Sequence, residues 1–268
     1  MARQAIVAPM PYVDVNGARL WFEEEGEGPA VLFVHGGLGD LRLWEPEAHA
    51  LAPRFRCIRY DLRFWGRSEA PGEEFSPVDD LAGLLDALDV KPAALVGLSL
   101  GGGLALDVTL AHPDRVWALA HVAAGVTGMP VAPYTDEQES AYESAEKRGD
   151  FDTMMEIDLA VWAPLGADET MRELWRATPD ARGVPDGARP KPRDPANERL
   201  EEVAVPTLVV VPEHDPPAQR AVGETVARRI PGARLVELDS DHYLTIREPQ
   251  QLAELLIEFL GAAAPAGE

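Results

Sequence analysis

The feature that most constrains the fold is a rhythm of short apolar runs, Val31 to Val34, Cys57 to Tyr60, Ala93 to Val96, Trp117 to Ala124, Thr207 to Val211 and Arg234 to Leu238. Stretches with helical spacing separate most of them. Runs of this length, bounded by turn residues, mark strands buried on both faces of a parallel sheet. Helices fit between them at about Leu43 to Leu51, Pro77 to Leu88, Leu100 to Ala111, Pro217 to Ile230 and Pro249 to Leu260. In the last, Leu252, Leu255, Leu256, Phe259 and Leu260 form one stripe. Ahead of the rhythm, Tyr12 to Val15 and Arg19 to Phe22 flank Asn16-Gly17, whose tolerance of positive φ predicts a tight type I′ hairpin. The sequence thus predicts an α/β fold: a mostly parallel eight-stranded sheet with helices on both faces.

The rhythm breaks between Ala124 and Thr207. Asp136 to Arg148, Phe151 to Ala160 and Glu169 to Ala177 have helical patterns without strands between them, and the Pro- and Gly-rich stretch Gly183 to Pro195 leads back. The expected organisation is a core over 1–125, an inserted helical cap over 126–204 and the rest of the core over 205–268. A small tail, Gly261 to Glu268, is expected to fray.

At 268 residues and 46% hydrophobic, the chain can bury one large core. Its 46 Asp and Glu against 24 Lys and Arg would repel phosphate backbones and anionic lipid, which excludes nucleic acid as a partner. The lone Cys57 lies in an apolar run and reads as a buried, inert thiol. Met1 to Met10 lacks the apolar segment of a signal peptide, and no stretch of about 18 apolar residues exists. A cytoplasmic protein with no membrane segment is expected; monomer and homodimer stay open.

The chemistry is carried by Gly97-Leu98-Ser99-Leu100-Gly101, Gly-x-Ser-x-Gly between an apolar run and a helical stretch. So sharp a turn strains the serine and leaves no room for Cβ atoms at Gly97 and Gly101. It lifts Ser99 to a helix N-terminus, where free N–H groups suit a developing oxyanion. A serine hydroxyl needs a base and a group to orient that base. Asp215 follows the run Val209-Val210-Val211 and so falls at the same sheet edge as Ser99. His242 sits in a turn after the next strand. The order Ser, Asp, His suits this arrangement. His214 as base, and Asp239, Asp241 or Glu213 as acid, are rival assignments. His49, His112 and His121 read as surface or packing residues.

The loop His35-Gly36-Gly37-Leu38-Gly39-Asp40 follows an early strand, so the oxyanion hole is assigned to the N–H groups of Gly37 and Leu100. It lacks the Gly-x-Gly-x-x-Gly of dinucleotide loops. There is no His-Glu-x-x-His and no paired Cys, so the reading requires neither metal nor organic cofactor.

Together these residues resemble the α/β-hydrolase superfamily over nearly the whole chain outside the cap. Asp61-Leu62-Arg63 with Gly66-Arg67-Ser68 looks like its Asp-x-Arg-Gly-x-Gly-x-Ser loop, and Pro113 to Val116 matches the segment after its nucleophile helix. Gly37 to Trp44 is similar to small esterases and the 3-oxoadipate enol-lactonase group. The resemblance implies hydrolysis of a small-molecule carboxylic ester or lactone through an acyl-enzyme. C–C bond hydrolysis, cofactor-free perhydrolysis, or a ligand receptor with a silent triad are the alternatives. Ser99 stands where the family's epoxide hydrolases and haloalkane dehalogenases carry aspartate, which argues against both, and Leu38 replaces the proline of proline iminopeptidases. One departure is Phe64, followed by Trp65, in place of the family's glycine after Arg63. The expected substrate pocket comprises Leu38, Phe64, Trp65, Met154 and Trp162.

Overall fold

The structure, a computed structural model, describes residues 11–265. The expectation for Met1 to Met10 lies outside the described residues, as does the last part of the tail.

In chain order the strands are β1 (Tyr12–Val15), β2 (Ala18–Glu25), β3 (Ala30–Val34), β4 (Arg56–Tyr60), β5 (Glu74–Phe75), β6 (Ala93–Leu98), β7 (Val116–Val122), β8 (Arg189–Pro190), β9 (Thr207–Pro212) and β10 (Arg234–Leu238). The helices are α1 (Glu45–Leu51), α2 (Pro77–Ala87), α3 (Leu100–Ala111), α4 (Asp136–Arg148), α5 (Phe151–Trp162), α6 (Glu169–Trp175), α7 (Pro179–Arg182), α8 (Pro217–Arg229), α9 (Leu244–Arg247) and α10 (Pro249–Ala263).

Eight strands form one sheet in the order β1-β2-β4-β3-β6-β7-β9-β10. The β1–β2 and β2–β4 pairs are antiparallel and the others parallel. Asn16 and Gly17 both have positive φ, 47° and 80°, as the hairpin requires. Successive side chains alternate between faces. Val31 and Phe33 pack with Leu51 of α1 and Leu256 of α10 in one core, Leu32 and Val34 with Leu84 of α2 and Val226 of α8 in the other.

Register decides where the chemistry falls. Val34 pairs with Tyr60 and with Gly97, Leu98 with Val122, Val122 with Val210, and Pro212 with Leu238. The strand ends are therefore level, and the loops holding His35, Asp61, Ser99, Asp215 and His242 leave the sheet along its carboxyl edge. In open α/β sheets that edge is where ligands bind.

Between β7 and β9 the chain forms α4 to α7 without adding to the main sheet. Thr135 and Gln138 make a reciprocal capping box on α4, and Gly149 ends it in the left-handed region at φ 65°. The stretch from Gly183 is not a plain return, because β8 within it pairs with β5 of the core in a separate two-stranded parallel sheet. Gly261 to Ala263 do not fray either, since α10 continues through them. No helix among the described residues is long and apolar enough to cross a membrane.

Candidate active site

Ser99 occupies the turn between β6 and α3 with φ 53° and ψ −118°. Backbone in that region is normally left to glycine, and a strain of about 1–3 kcal/mol persists only where surroundings enforce it. They do so here. The Ser99 N–H is held by the Val122 carbonyl at 2.9 Å. A Cβ on Gly97 would overlap the Gly101 backbone, and one on Gly101 would overlap the carbonyls of Val34 and His35. Gly102 is under the same constraint from Ala124.

The imidazole of His242 bonds through Nδ1 to Asp215 Oδ2 at 2.8 Å. Both side chains are buried, at 6% and 1% exposure. Ser99 and His242 line one narrow cavity with Gly36, Gly37, Leu38, Leu43, Leu98 and Tyr243. The Ser99 hydroxyl has no hydrogen-bond partner among the described residues, so the two meet as walls of a shared slot.

The rival assignments have other partners. His214 is half exposed and pairs with exposed Asp239, Nε2 to Oδ1, at 2.8 Å. Asp241 is fully buried, but it accepts from Arg247 Nε at 2.7 Å, Tyr243 N at 3.2 Å and Leu165 N at 3.2 Å. It thereby ties the inserted segment to the loop carrying His242. Glu213 is exposed. His49 is on the surface beside Glu25, and His121 is buried with its Nε2 3.1 Å from the Gly125 carbonyl. Cys57 is buried, which pushes its thiol up to about 12.

The Gly36–Leu38 loop packs on Ser99 and Leu100. A Cβ on Gly36 would lie 3.3 Å from Ser99 Cβ, and one on Gly37 would lie 3.9 Å from Leu100 Cδ2. Side chains grip three consecutive carbonyls of this loop. His35 Nδ1 is 2.7 Å from the Gly36 oxygen, Trp65 Nε1 donates to the Gly37 oxygen at 3.0 Å, and the Tyr243 hydroxyl donates to the Leu38 oxygen at 3.4 Å. With the carbonyls turned to these donors, the Gly37 and Leu100 N–H groups have no partner among the described residues.

The tautomer of His35 follows from its contacts. Nε2 accepts from the Leu62 N–H at 3.0 Å, so Nδ1 carries the proton and donates to Gly36. Burial lowers its pKa to about 4, keeping the ring neutral. This positioning role was missed in the sequence, although the His35-Gly36 step before a glycine turn was its signal.

The 61–68 loop is scaffolding. Asp61 accepts from the N–H groups of Leu41 and Arg67, and burial raises its pKa to about 7. Arg63 makes a two-pronged pair with Asp80, at 2.8 Å and 2.9 Å, and donates to the Asn16 carbonyl. Phe64 stands at φ 76°, which explains glycine as the fitting residue there, and its ring meets Phe75 edge-on at 5.5 Å.

The five expected pocket residues separate. Leu38 lines the slot with Ser99. Phe64 and Trp65 line a second cavity of about 500 Å³ next to it. Trp162, at the end of α5, lies against His242 with ring centroids 4.4 Å apart. Its Nε1 donates to the Tyr134 hydroxyl at 3.3 Å, which donates to buried Asp158 at 2.6 Å; Trp175 also donates to Asp158, at 2.7 Å. Met154 lines neither cavity and is buried in the apolar core with Leu159, Met171 and Trp175. An unbranched apolar side chain on the inner face of a short helix had more area to gain there than at a rim. Among the described residues no group of three or more His, Cys, Asp or Glu is placed to hold a metal ion.

Comparison with known proteins adds a family. The model described as "alpha/beta hydrolase fold" matches residues 29–249. The crystal structure of the enol-lactonase from Burkholderia xenovorans LB400 superposes with a TM-score of 0.73, at 26% identity, covering 94% of this chain and 100% of that one. The 3-oxoadipate enol-lactonase 1 of Acinetobacter baylyi is 23% identical over 258 residues, 92% of each chain. An epoxide hydrolase of Caballeronia sordidicola is 36% identical over 143 residues, which are 51% of this chain and only 41% of that protein.

Proposed function

This chain belongs to the α/β-hydrolase fold family, and from that premise we propose that it is a serine hydrolase cleaving a small-molecule carboxylic ester or lactone. The observation that carries the reading is the buried 2.8 Å contact of His242 Nδ1 with Asp215, on a histidine that shares its slot with Ser99. With Nδ1–H given to the carboxylate, Nε2 is the basic nitrogen.

In this mechanism Ser99 Oγ attacks the acyl carbon while its proton passes to His242 Nε2. The carbonyl oxygen takes the electron pair and is held by the N–H groups of Gly37 and Leu100, each of such donors contributing on the order of 10²–10³ in rate. His242 returns the proton to the departing alcohol oxygen as the C–O bond breaks. Water then attacks the acyl-enzyme by the same route, releasing the acid and restoring Ser99. Asp215 fixes the tautomer and stabilises the imidazolium. For a lactone the alcohol stays tethered and the product is a hydroxy acid. Epoxide opening through an alkyl-enzyme ester needs a carboxylate where this chain has Ser99, so the partial likeness to an epoxide hydrolase is read as shared scaffold.

A panel of p-nitrophenyl esters and lactones, with Ser99→Ala as control, tests the reading. Turnover should fall by roughly 10⁴–10⁶ in the variant, and a fluorophosphonate should label the parent at Ser99. Turnover by Ser99→Ala within tenfold of the parent would refute it. Labelling without turnover on any ester or lactone would point to C–C bond hydrolysis or perhydrolysis, and absence of both to a ligand receptor.

A further inference from the structure

Asp241, next to the proposed base, has no exposed surface, and its carboxylate collects three donors from two separate parts of the chain. Its Oδ1 accepts from the Tyr243 N–H at 3.2 Å, closing a turn around His242, and from Arg247 Nε at 2.7 Å. A carboxylate bonded two residues along its own backbone limits the conformations of the residue between them. Its Oδ2 reaches the inserted segment and accepts from the Leu165 N–H at 3.2 Å. Arg247, the last residue of α9, adds a second hold there, with Nη2 donating to the Gly166 carbonyl. Two successive residues of one turn are thus tied, the first by its N–H and the next by its carbonyl. That turn follows α5 directly: Ala163 caps the helix, and the Gly166 N–H closes back on the Ala163 carbonyl at 2.9 Å. Gly166 stands at φ 105° with nothing within 4 Å of where a Cβ would sit, so glycine serves the bend there rather than the space. Leu165 leaves its side chain 48% exposed, so the turn is docked by its backbone and not by apolar burial.

Resting on the hydrolytic reading of Ser99 and His242, we propose that Asp241 and Arg247 are positioning residues that couple the docking of the inserted helices to the setting of the base. Trp162 is the last residue of α5, three before Leu165, and its ring lies on the His242 imidazole with centroids 4.4 Å apart. Pinning residues 165 and 166 fixes the end of α5, and with it the place of that ring over the base. One carboxylate therefore sets both the backbone around His242 and the aromatic face that covers its ring. A buried ion pair adds little net stability over apolar side chains of the same shape, because desolvation offsets the attraction. What this pair supplies is direction, since hydrogen bonds hold their partners to a narrow range of distance and angle that an apolar contact does not impose.

The test compares the rate at which a fluorophosphonate labels Ser99 in the full chain and in the double variant Asp241→Asn, Arg247→Met. Asparagine keeps an acceptor for the Tyr243 N–H, and so the turn around His242, but meets the Leu165 N–H with a donor; methionine keeps an apolar stem without the guanidinium. Removing both charges together leaves no unpaired buried ion, so the fold should be retained, as read by circular dichroism. The limiting labelling rate should fall about threefold to tenfold, the size expected for a displaced aromatic contact, while the half-saturating concentration stays within about twofold. In a Trp162→Ala background the same two substitutions should lower the limiting rate by less than about twofold, because the contact they set is already gone. Arg247→Lys preserves the charge balance should the double variant unfold. Its single ammonium cannot span Asp241 and the Gly166 carbonyl as the planar fork does, so it should slow labelling with the same dependence on Trp162. Labelling as fast as the parent's, or an equal fold-drop with and without Trp162, overturns the proposal. Slower labelling in a protein inert toward p-nitrophenyl esters and lactones leaves the coupling standing and removes only ester and lactone cleavage. A parent that does not label removes the serine hydrolase reading and the coupling with it.

Discussion

Trp162 and His242 lie with ring centroids 4.4 Å apart and planes inclined at 44°. One belongs to the inserted helices and the other to the loop after β10, so the segment that interrupts the sheet reaches the proposed base. Such a contact shields the imidazole from water and limits its tilt. Aromatic pairs of this geometry contribute about 0.5–1.5 kcal/mol beyond area burial. Trp162→Ala should therefore lower kcat/KM on a p-nitrophenyl ester by about threefold to tenfold, and Trp162→Phe should recover most of it. Steady-state kinetics of the two variants decide the matter; full activity in Trp162→Ala removes the contact from the mechanism.

Asp215→Asn keeps the shape of the pair but alters which nitrogen of His242 carries the proton. Turnover should drop by about 10⁴ while the fold is retained, as read by esterase rate and circular dichroism. An Asn variant within tenfold of the parent would show that another group orients the base.

His35 offers a pH signature in stability. Its pKa is depressed from 6.5 to about 4 by burial, so below pH 6.5 the unfolded chain takes up a proton that the folded chain refuses. The contribution is fully present above 6.5 and is lost as pH falls toward 4. His35→Gln removes this linkage. The stability difference between parent and variant should shrink by about 2 kcal/mol between pH 7.5 and pH 5. Urea titrations at the two pH values measure it, and a constant difference would mean the ring is not held neutral.

Phe64 predicts a reversal of the usual order. At most buried sites alanine is more stable than glycine, but at φ 76° the Cβ itself is the strained atom. Phe64→Gly should be more stable than Phe64→Ala by about 1 kcal/mol. Thermal midpoints of the two variants test this, and alanine above glycine would exclude strain at position 64.

How much of this was visible in the chain can be traced residue by residue. The central strands were legible because both faces of the sheet are buried there, which writes them as apolar runs, and β1 and β2 because Asn16-Gly17 marks the turn between them. Ser99 was legible because only glycines fit around its turn. The meeting of Asp215 and His242 followed from strand ends at one edge. Phe64 showed as a departure, yet its positive φ depends on how Asp61 and Arg63 anchor the loop to Leu41, Asp80 and Asn16, far along the chain. The pairing of β5 with β8 stayed hidden because two-residue strands have no period to detect. Met154 misled because an apolar residue in a short helix has the same sequence signature at a rim as in a core. The contact of Trp162 with His242 was not legible, because the two are 80 residues apart and no local pattern announces it.

In the proposed mechanism, the grip of His35, Trp65 and Tyr243 on three successive carbonyls puts control of the reaction rate in side chains that bind the backbone of one loop. A glycine turn left alone would sample many peptide orientations, and each encounter would have to wait for the right one. Here the donors are set before anything arrives, so a change at Trp65 retunes the resting geometry of the site, and a lineage of such proteins can adjust speed and selectivity at different addresses in the chain.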